Sequence, residues 1–375
     1  MRTRAHPDRG LAARAPALPD RTLSPAGARG RRPARGLAHP DPAGALRQRR
    51  RCAGRAARAR GGGLLGGGDP AADRAPGELA PARDAVRHAH GGGSRRARRA
   101  PRALLLCPRA ERSRVSALYC EVSGRGRDLV LLHGWGLNLR VWDGLAGALT
   151  ARFRVIAIDL PGHGRSDWDA SAGTPAAQAW RVHETLAPLT RRYALLGWSL
   201  GGQLALDLAA ALPSGIERLA LIATTPRFLA GPDWRCGTAP ALLARLERQL
   251  REDSGRTVRE FLKLQVRGVA PRTASRVLAR LKGALTGHGA AQPEALARGL
   301  DRLKDGDLRP ALPLVRIPAL VVSGGLDRIT PAAAGRALAA ALPKGRYVEF
   351  ARAAHAPFLS SPARFAQVLT EFLRG

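Results

Sequence analysis

The sequence predicts an α/β fold: a mostly parallel central sheet with helices on both faces. Short, near-continuous apolar runs alternate with helical stretches from about residue 118 onward. Strands buried on both faces read as such runs, whereas half-exposed strands alternate apolar with polar. In addition, the pentapeptide Gly197-Trp198-Ser199-Leu200-Gly201 lies between a short apolar run and an amphipathic one, the setting of a sharp strand-to-helix turn.

The elements follow in order. Leu118–Ser123 reads as the first strand, turning at Gly124-Arg125-Gly126. Asp128–His133 is the second, built on Leu129-Val130-Leu131-Leu132, and Val155–Leu160 the third. Tyr193–Leu196 leads into the turn at Ser199, and Gly202–Ala209 reads as the helix after it. Leu219–Ala223, Ala319–Ser323 and Arg346–Phe350 complete the strands. Between the last of the middle strands and Ala319 the alternation breaks. Residues 227–309 hold no clear strand but several amphipathic helices, near Ala241–Arg251, Thr257–Arg267 and Thr273–Leu285. Such an insertion between sheet strands is placed to act as a lid.

Charge separates the chain into two parts. It has 375 residues and a formal net charge of +33, of which residues 1–114 contribute +19 from 27 Arg, no Lys and 8 acidic residues. That segment contains no Phe, Trp, Tyr or Ile, and all 16 aromatic residues lie at Tyr119 or later. Without aromatic and β-branched side chains, burial cannot offset ordering entropy, so residues 1–114 are expected to be disordered. An Arg-rich arm could neutralise nucleic-acid phosphates, but a second reading is preferred: the Arg, Ala, Pro and Gly bias fits a GC-rich region read outside its true frame, with Val115 as the start. A targeting or membrane role is excluded by the shortness of its longest apolar run, Ala103–Cys107. Residues 115–375 suffice for one large α/β domain. The four cysteines show no paired or zinc-like spacing, which predicts a reduced, cytoplasmic protein. No pattern for a metal, phosphate loop or dinucleotide is present, so no cofactor, membrane contact or nucleic-acid partner is expected, and a monomer is expected.

A serine raised on such a turn needs a base and a group to orient it. His355, in Ala353-Ala354-His355-Ala356-Pro357-Phe358, follows the last strand; Asp327, in Gly324-Gly325-Leu326-Asp327, follows the strand at Ala319. All three candidates stand at carboxyl ends of strands, where open α/β sheets place their sites. Asp301, Asp305 and Asp307 precede their strand among other charges and suit a solvated loop better. Two amides are candidate donors to a developing oxyanion. One is that of Leu200, just after the nucleophile; the other is that of Trp135 in His133-Gly134-Trp135-Gly136, the loop after the second strand. The Trp135 indole is placed to wall an acyl pocket, and His133 to hold the loop. The turn Asp159–Ser166 reads as scaffold.

Together these motifs resemble the α/β-hydrolase superfamily. Leu131–Asn138, Leu196–Gly202, Arg256-Thr257-Val258 with Phe261-Leu262 and Leu264-Gln265, and Ala353–Phe358 are most similar to the pimeloyl-[acyl-carrier protein] methyl ester carboxylesterases of biotin synthesis. The likeness spans about residues 118–372. It implies a Ser199, Asp327, His355 triad and substrate contacts from Trp135, Ser199, Leu200, His355 and the stretch Phe261, Leu262, Lys263, Leu264 and Gln265. It also implies an acidic acyl-carrier protein as partner. Residues 227–309 carry +8, and Arg272, Arg276 and Arg280 recur every four residues on one helix face. These arginines, with Arg256 and Arg259, are candidate carrier-protein contacts, although a solvated face of an Arg-rich protein accounts for them equally well. Glu260 stands where the resemblance leads one to expect a basic residue. Other serine hydrolases, such as a short-chain esterase or a carbon–carbon bond hydrolase, share the same triad and remain the alternative.

Overall fold

A computed structural model describes residues 117–170 and 173–375. The Arg-rich extension and Val115 lie outside them. Seven strands form one sheet: β1 (Cys120–Ser123), β2 (Arg127–Leu132), β3 (Phe153–Ile158), β4 (Tyr193–Trp198), β5 (Ile216–Ile222), β6 (Ala319–Gly324) and β7 (Gly345–Phe350). Their spatial order is β1-β3-β2-β4-β5-β6-β7. Only β1 runs antiparallel; β2 through β7 are parallel neighbours in register pairs such as Leu131 with Leu196 and Leu221 with Val321.

The period of two along each strand explains the unbroken apolar runs. Leu129 and Leu131 of β2, Leu196 and Trp198 of β4, and Leu320 and Val322 of β6 face one core. Val130, Leu132, Leu195 and Val321, their immediate neighbours, face the other. Both faces are covered by helices, so neither set reaches water. On one side lie α1 (Asp143–Leu149) and α10 (Pro362–Arg374); on the other lie α2 (Pro175–Leu186), α3 (Leu200–Ala211) and α8 (Ala332–Ala341). The start of α2 illustrates the local code: Thr174 accepts a hydrogen bond from Ala177 N, and Pro175 occupies the first turn, where its missing N–H costs nothing.

The sequence boundaries shift by a few residues. The first strand begins at Cys120 rather than Leu118, and β4 continues through Trp198, two residues beyond Leu196. Four helices fill the insertion: α4 (Pro240–Glu252), α5 (Ser254–Leu264), α6 (Pro271–Thr286) and α7 (Pro293–Asp305). The start of α5 falls before Thr257 because Asp253 caps it, its side chain accepting from Arg256 N at 2.8 Å. A bridge between Arg227 and Asp307 draws the two ends of the insertion together. A short helix, α9 (Pro357–Ser360), follows β7. Among the described residues no helix is long and apolar enough to cross a membrane. Cys236 is a free thiol.

Candidate active site

Ser199 sits between β4 and α3 with φ 55° and ψ −118°, a left-handed conformation that costs a non-glycine residue energy. The surrounding turn is closed by contacts that leave no room for side chains. A Cβ on Gly197 would meet Gly202 Cα at 2.6 Å, and one on Gly201 would meet Leu132 O at 2.6 Å. Thr224, just past β5, donates from its hydroxyl to Ser199 O at 2.8 Å, and Ser199 N donates to Ile222 O at 2.9 Å. Strain at the serine is therefore held from both sides.

The three residues singled out as nucleophile, base and acid come together. His355 Nε2 lies 2.9 Å from Ser199 Oγ, and His355 Nδ1 lies 2.8 Å from Asp327 Oδ2. Asp327 and His355 are buried. With the Nδ1 proton directed at the carboxylate, Nε2 is free to accept the serine proton. Asp327 is itself fixed: Oδ1 accepts from Ile329 N at 2.8 Å and Thr330 N at 3.0 Å, and Oδ2 accepts from the Thr330 hydroxyl at 2.7 Å. The His355 backbone is tied on both sides, its N donating to Gln265 O at 3.2 Å and its O accepting from Trp198 Nε1 at 2.8 Å. The alternative acids are engaged elsewhere: Asp301 pairs with Arg298, and Asp307 with Arg309 and Arg227.

The loop after β2 lies against the nucleophile. A Cβ on Gly134 would approach Ser199 Cβ to 3.3 Å, so the backbone of this loop packs directly on the nucleophile. Among the described residues neither the Trp135 nor the Leu200 amide has a protein acceptor. His133 anchors this loop: its Nδ1–H donates to Gly134 O at 2.8 Å, and its Nε2 accepts from Leu160 N at 3.0 Å. Burial, reinforced by the His163 ring beside it, pushes the His133 pKa down to about 3, so the ring is neutral. Asp159 ties together the segments that flank this loop. It accepts from Leu139 N at 2.8 Å and Arg165 N at 2.9 Å, and its Oδ2 meets His288 Nε2 at 2.7 Å. Burial alone would raise the Asp159 carboxyl, but these hydrogen bonds and the neighbouring imidazoles hold it below the usual carboxylate range.

A third apolar cluster joins this loop to the insertion. Trp135 and Leu200 pack with Phe261 and Val258 of α5, Leu243 and Leu246 of α4, and Leu296, Leu300 and Leu303 of α7. Trp135 and Phe261 stack edge to face at 5.1 Å, and Phe261 meets the His355 ring edge-on at 6.5 Å. Fully burying a side chain the size of Phe261 contributes about 1.5–3 kcal/mol. The stretch of five residues from Phe261 divides. Phe261 and the half-buried Leu264 belong to this cluster, and Gln265 is buried beside it with its side-chain carbonyl unpaired. Leu262 turns instead into the sheet core with Trp142 and Phe358, and Lys263 is exposed and paired with Glu260 at 2.7 Å. Arg256, Arg259, Arg272, Arg276 and Arg280 are all exposed, Arg276 also donating to Ser360 O at 3.0 Å.

Several supporting residues escaped sequence reasoning. Thr330 had a legible signal, since a threonine three after an aspartate can close a side-chain turn on it. Trp198 lay inside the motif yet gave no hint that its indole reaches the base. His288 acts on Asp159 from 129 positions away, a distance no local pattern spans.

Known proteins resemble this chain in sequence and fold. Residues 129–368 match the model of the alpha/beta hydrolase family. The pimeloyl-[acyl-carrier protein] methyl ester esterase of Nitrosomonas europaea is 39% identical over 252 residues, covering 67% of this chain and 97% of that protein. The esterase of the same name from Stenotrophomonas maltophilia is 40% identical over 258 residues, 69% of this chain and 97% of that one. A hydrolase structure from Pseudomonas aeruginosa superposes with a TM-score of 0.59 at 30% identity, over 69% of this chain and 94% of its own. With its parallel sheet, its strained serine turn and matches that span nearly the whole of these relatives, the chain belongs to the alpha/beta hydrolase family.

Proposed function

We propose that the protein is a serine carboxylesterase that hydrolyses the methyl ester of pimeloyl-[acyl-carrier protein], the step of biotin synthesis that frees the distal carboxylate. The observation that carries this reading is the 39–40% identity to esterases of that name over nearly their full length. The 2.9 Å approach of His355 Nε2 to Ser199 Oγ supports the chemistry.

In this reading His355 takes the proton from Ser199 Oγ as the oxygen attacks the ester carbonyl. Asp327 keeps the imidazole in the required tautomer and stabilises the imidazolium that forms. The Trp135 and Leu200 amides receive the oxyanion, each lowering the barrier by roughly 3 kcal/mol. Collapse of the tetrahedral intermediate expels methanol, protonated from His355 Nε2. A water then enters, is deprotonated by the same nitrogen, and releases the acid. Trp135, Phe261 and Gln265 line the acyl side, and α4–α7 act as a lid over it. The exposed arginines of α5 and α6 meet the acidic carrier protein, with charge complementarity steering the encounter.

Expression of the full chain in a biotin auxotroph that lacks this esterase tests the reading. Growth without biotin is expected from the native sequence and not from Ser199→Ala. Failure of the native chain to rescue, combined with turnover of short esters, favours a general esterase with the same triad.

A further inference from the structure

Glycine is among the poorest residues for a helix interior, yet Gly299 stands in the middle of α7. Its surroundings supply the reason. A Cβ at this position would lie 2.5 Å from Trp135 Cδ1, 2.9 Å from Trp135 Nε1 and 3.4 Å from Leu200 Cδ2. The first two are closer than real Cβ contacts, and the indole they meet is not a flexible chain end. It is buried, stacked on Phe261 and hydrogen-bonded from Nε1 to Leu296 O at 2.9 Å. Leu296 is one turn before Gly299 on the same helix. Helix α7 thus grips the indole twice, through a carbonyl acceptor and through a missing side chain one turn on.

We propose that Gly299, with Leu296 O, is the positioning element that seats Trp135 and so sets both the wall of the acyl pocket and the place of the oxyanion loop. The residue a Cβ would strike, Trp135, and the one it would merely touch, Leu200, are the two whose amides receive the oxyanion in the proposed mechanism, on which this inference rests. No segment of the sheet core supplies this seat; it comes from the insertion. Consequently the helix that covers the site also tunes its chemistry. A side chain at position 299 cannot be accommodated by rotation of the indole alone, because rotation breaks the bond to Leu296 O and the stack on Phe261. The strain then falls on the two backbones in contact, α7 and the Trp135 loop, and a shift of that loop moves its amide relative to the serine.

The test is Gly299→Ala, measured beside Trp135→Phe, the double variant Gly299→Ala/Trp135→Phe, and Ser199→Ala, all in the full chain. The substrate is a p-nitrophenyl ester of a short acid, and thermal unfolding is recorded for each. Misplacing one oxyanion donor without removing it is expected to lower kcat about tenfold in Gly299→Ala, with KM changed by less than about threefold. This is a fraction of the hundredfold or greater loss for a deleted donor. Alanine favours the helix, so the melting point is expected to stay near that of the native chain. Phenylalanine keeps a Cδ1 but has no Nε1–H tied to Leu296 O, so its smaller ring is free to turn away from the new Cβ, and the double variant is expected to recover to the kcat of Trp135→Phe alone. Native kinetics in Gly299→Ala, or a loss that Trp135→Phe does not relieve, overturns the proposal. The Ser199→Ala variant separates the two claims. Turnover retained there overturns the serine mechanism itself, whereas an inactive Ser199→Ala beside a fully active Gly299→Ala overturns only the seat.

Discussion

Acid sensitivity of the fold should trace in large part to His133. This ring is fully buried, and both its nitrogens are committed, one accepting from Leu160 N and the other donating to Gly134 O. Protonation would abolish the acceptor and place a charge beside His163, and its pKa is accordingly pushed down to about 3. In the unfolded chain an imidazole titrates near 6.5. The sign follows from linkage. Above about pH 6.5 both states are neutral and the contribution to stability is complete. As the pH falls below that value the unfolded chain takes up a proton that the folded chain refuses, so stability is lost at about 1.4 kcal/mol per pH unit until about pH 3. Between about pH 7 and pH 4.5 the loss comes to about 2.7 kcal/mol from this one residue. His163 is also shifted down by burial and adds in the same direction, while Asp159, held below the usual carboxylate range, acts only at lower pH. Urea unfolding followed by tryptophan fluorescence, at about pH 7 and pH 4.5, measures the loss. In His133→Gln an uncharged amide replaces the ring, still able to accept from Leu160 N, and the difference between the two pH values should shrink by about 2 kcal/mol or more. An identical pH dependence in the variant would refute the reasoning.

Two further outcomes follow from buried polar contacts. Trp198→Phe removes the donor to His355 O, 2.8 Å away, leaving a buried carbonyl unpaired at a cost of about 1–3 kcal/mol; a lower melting point and a fall in kcat with KM little changed are expected. Arg302 of α7 is buried against Asp207 of α3, whose pKa burial raises in spite of the opposing guanidinium. Arg302→Met strands that carboxylate at a cost of about 3–5 kcal/mol, and Arg302→Met/Asp207→Leu should recover most of it in thermal unfolding.

The sheet was legible because burial on both faces writes itself into sequence as unbroken apolar runs. Leu129 through Leu132 could be read as a strand before its neighbours were known, since each neighbour faces a different core. The serine turn was legible for a different reason: close backbone approach at Gly197 and Gly201 admits only glycine, so the constraint is local. Ser199, Asp327 and His355 could be named because each stands directly after a strand, and the sheet brings strand ends together. What stayed hidden depends on contacts across the chain. Leu262 and Lys263 sit between residues that face the site, but helix geometry turns one into the sheet core and the other to solvent. The start of α5 at Ser254 was missed because the Asp253 cap, not the apolar stripe, decides where the helix begins. The grip of α7 on Trp135 leaves only an unexplained glycine in the sequence.

Hydrolysis of a pimeloyl-[acyl-carrier protein] methyl ester by the purified full chain is the most direct measurement of the central claim. Conversion of the methyl ester to the free carboxylate is expected with the native protein, and none above the uncatalysed rate with Ser199→Ala at an unchanged melting temperature. Absence of turnover by the native chain, or equal turnover by the Ser199→Ala variant, would contradict it.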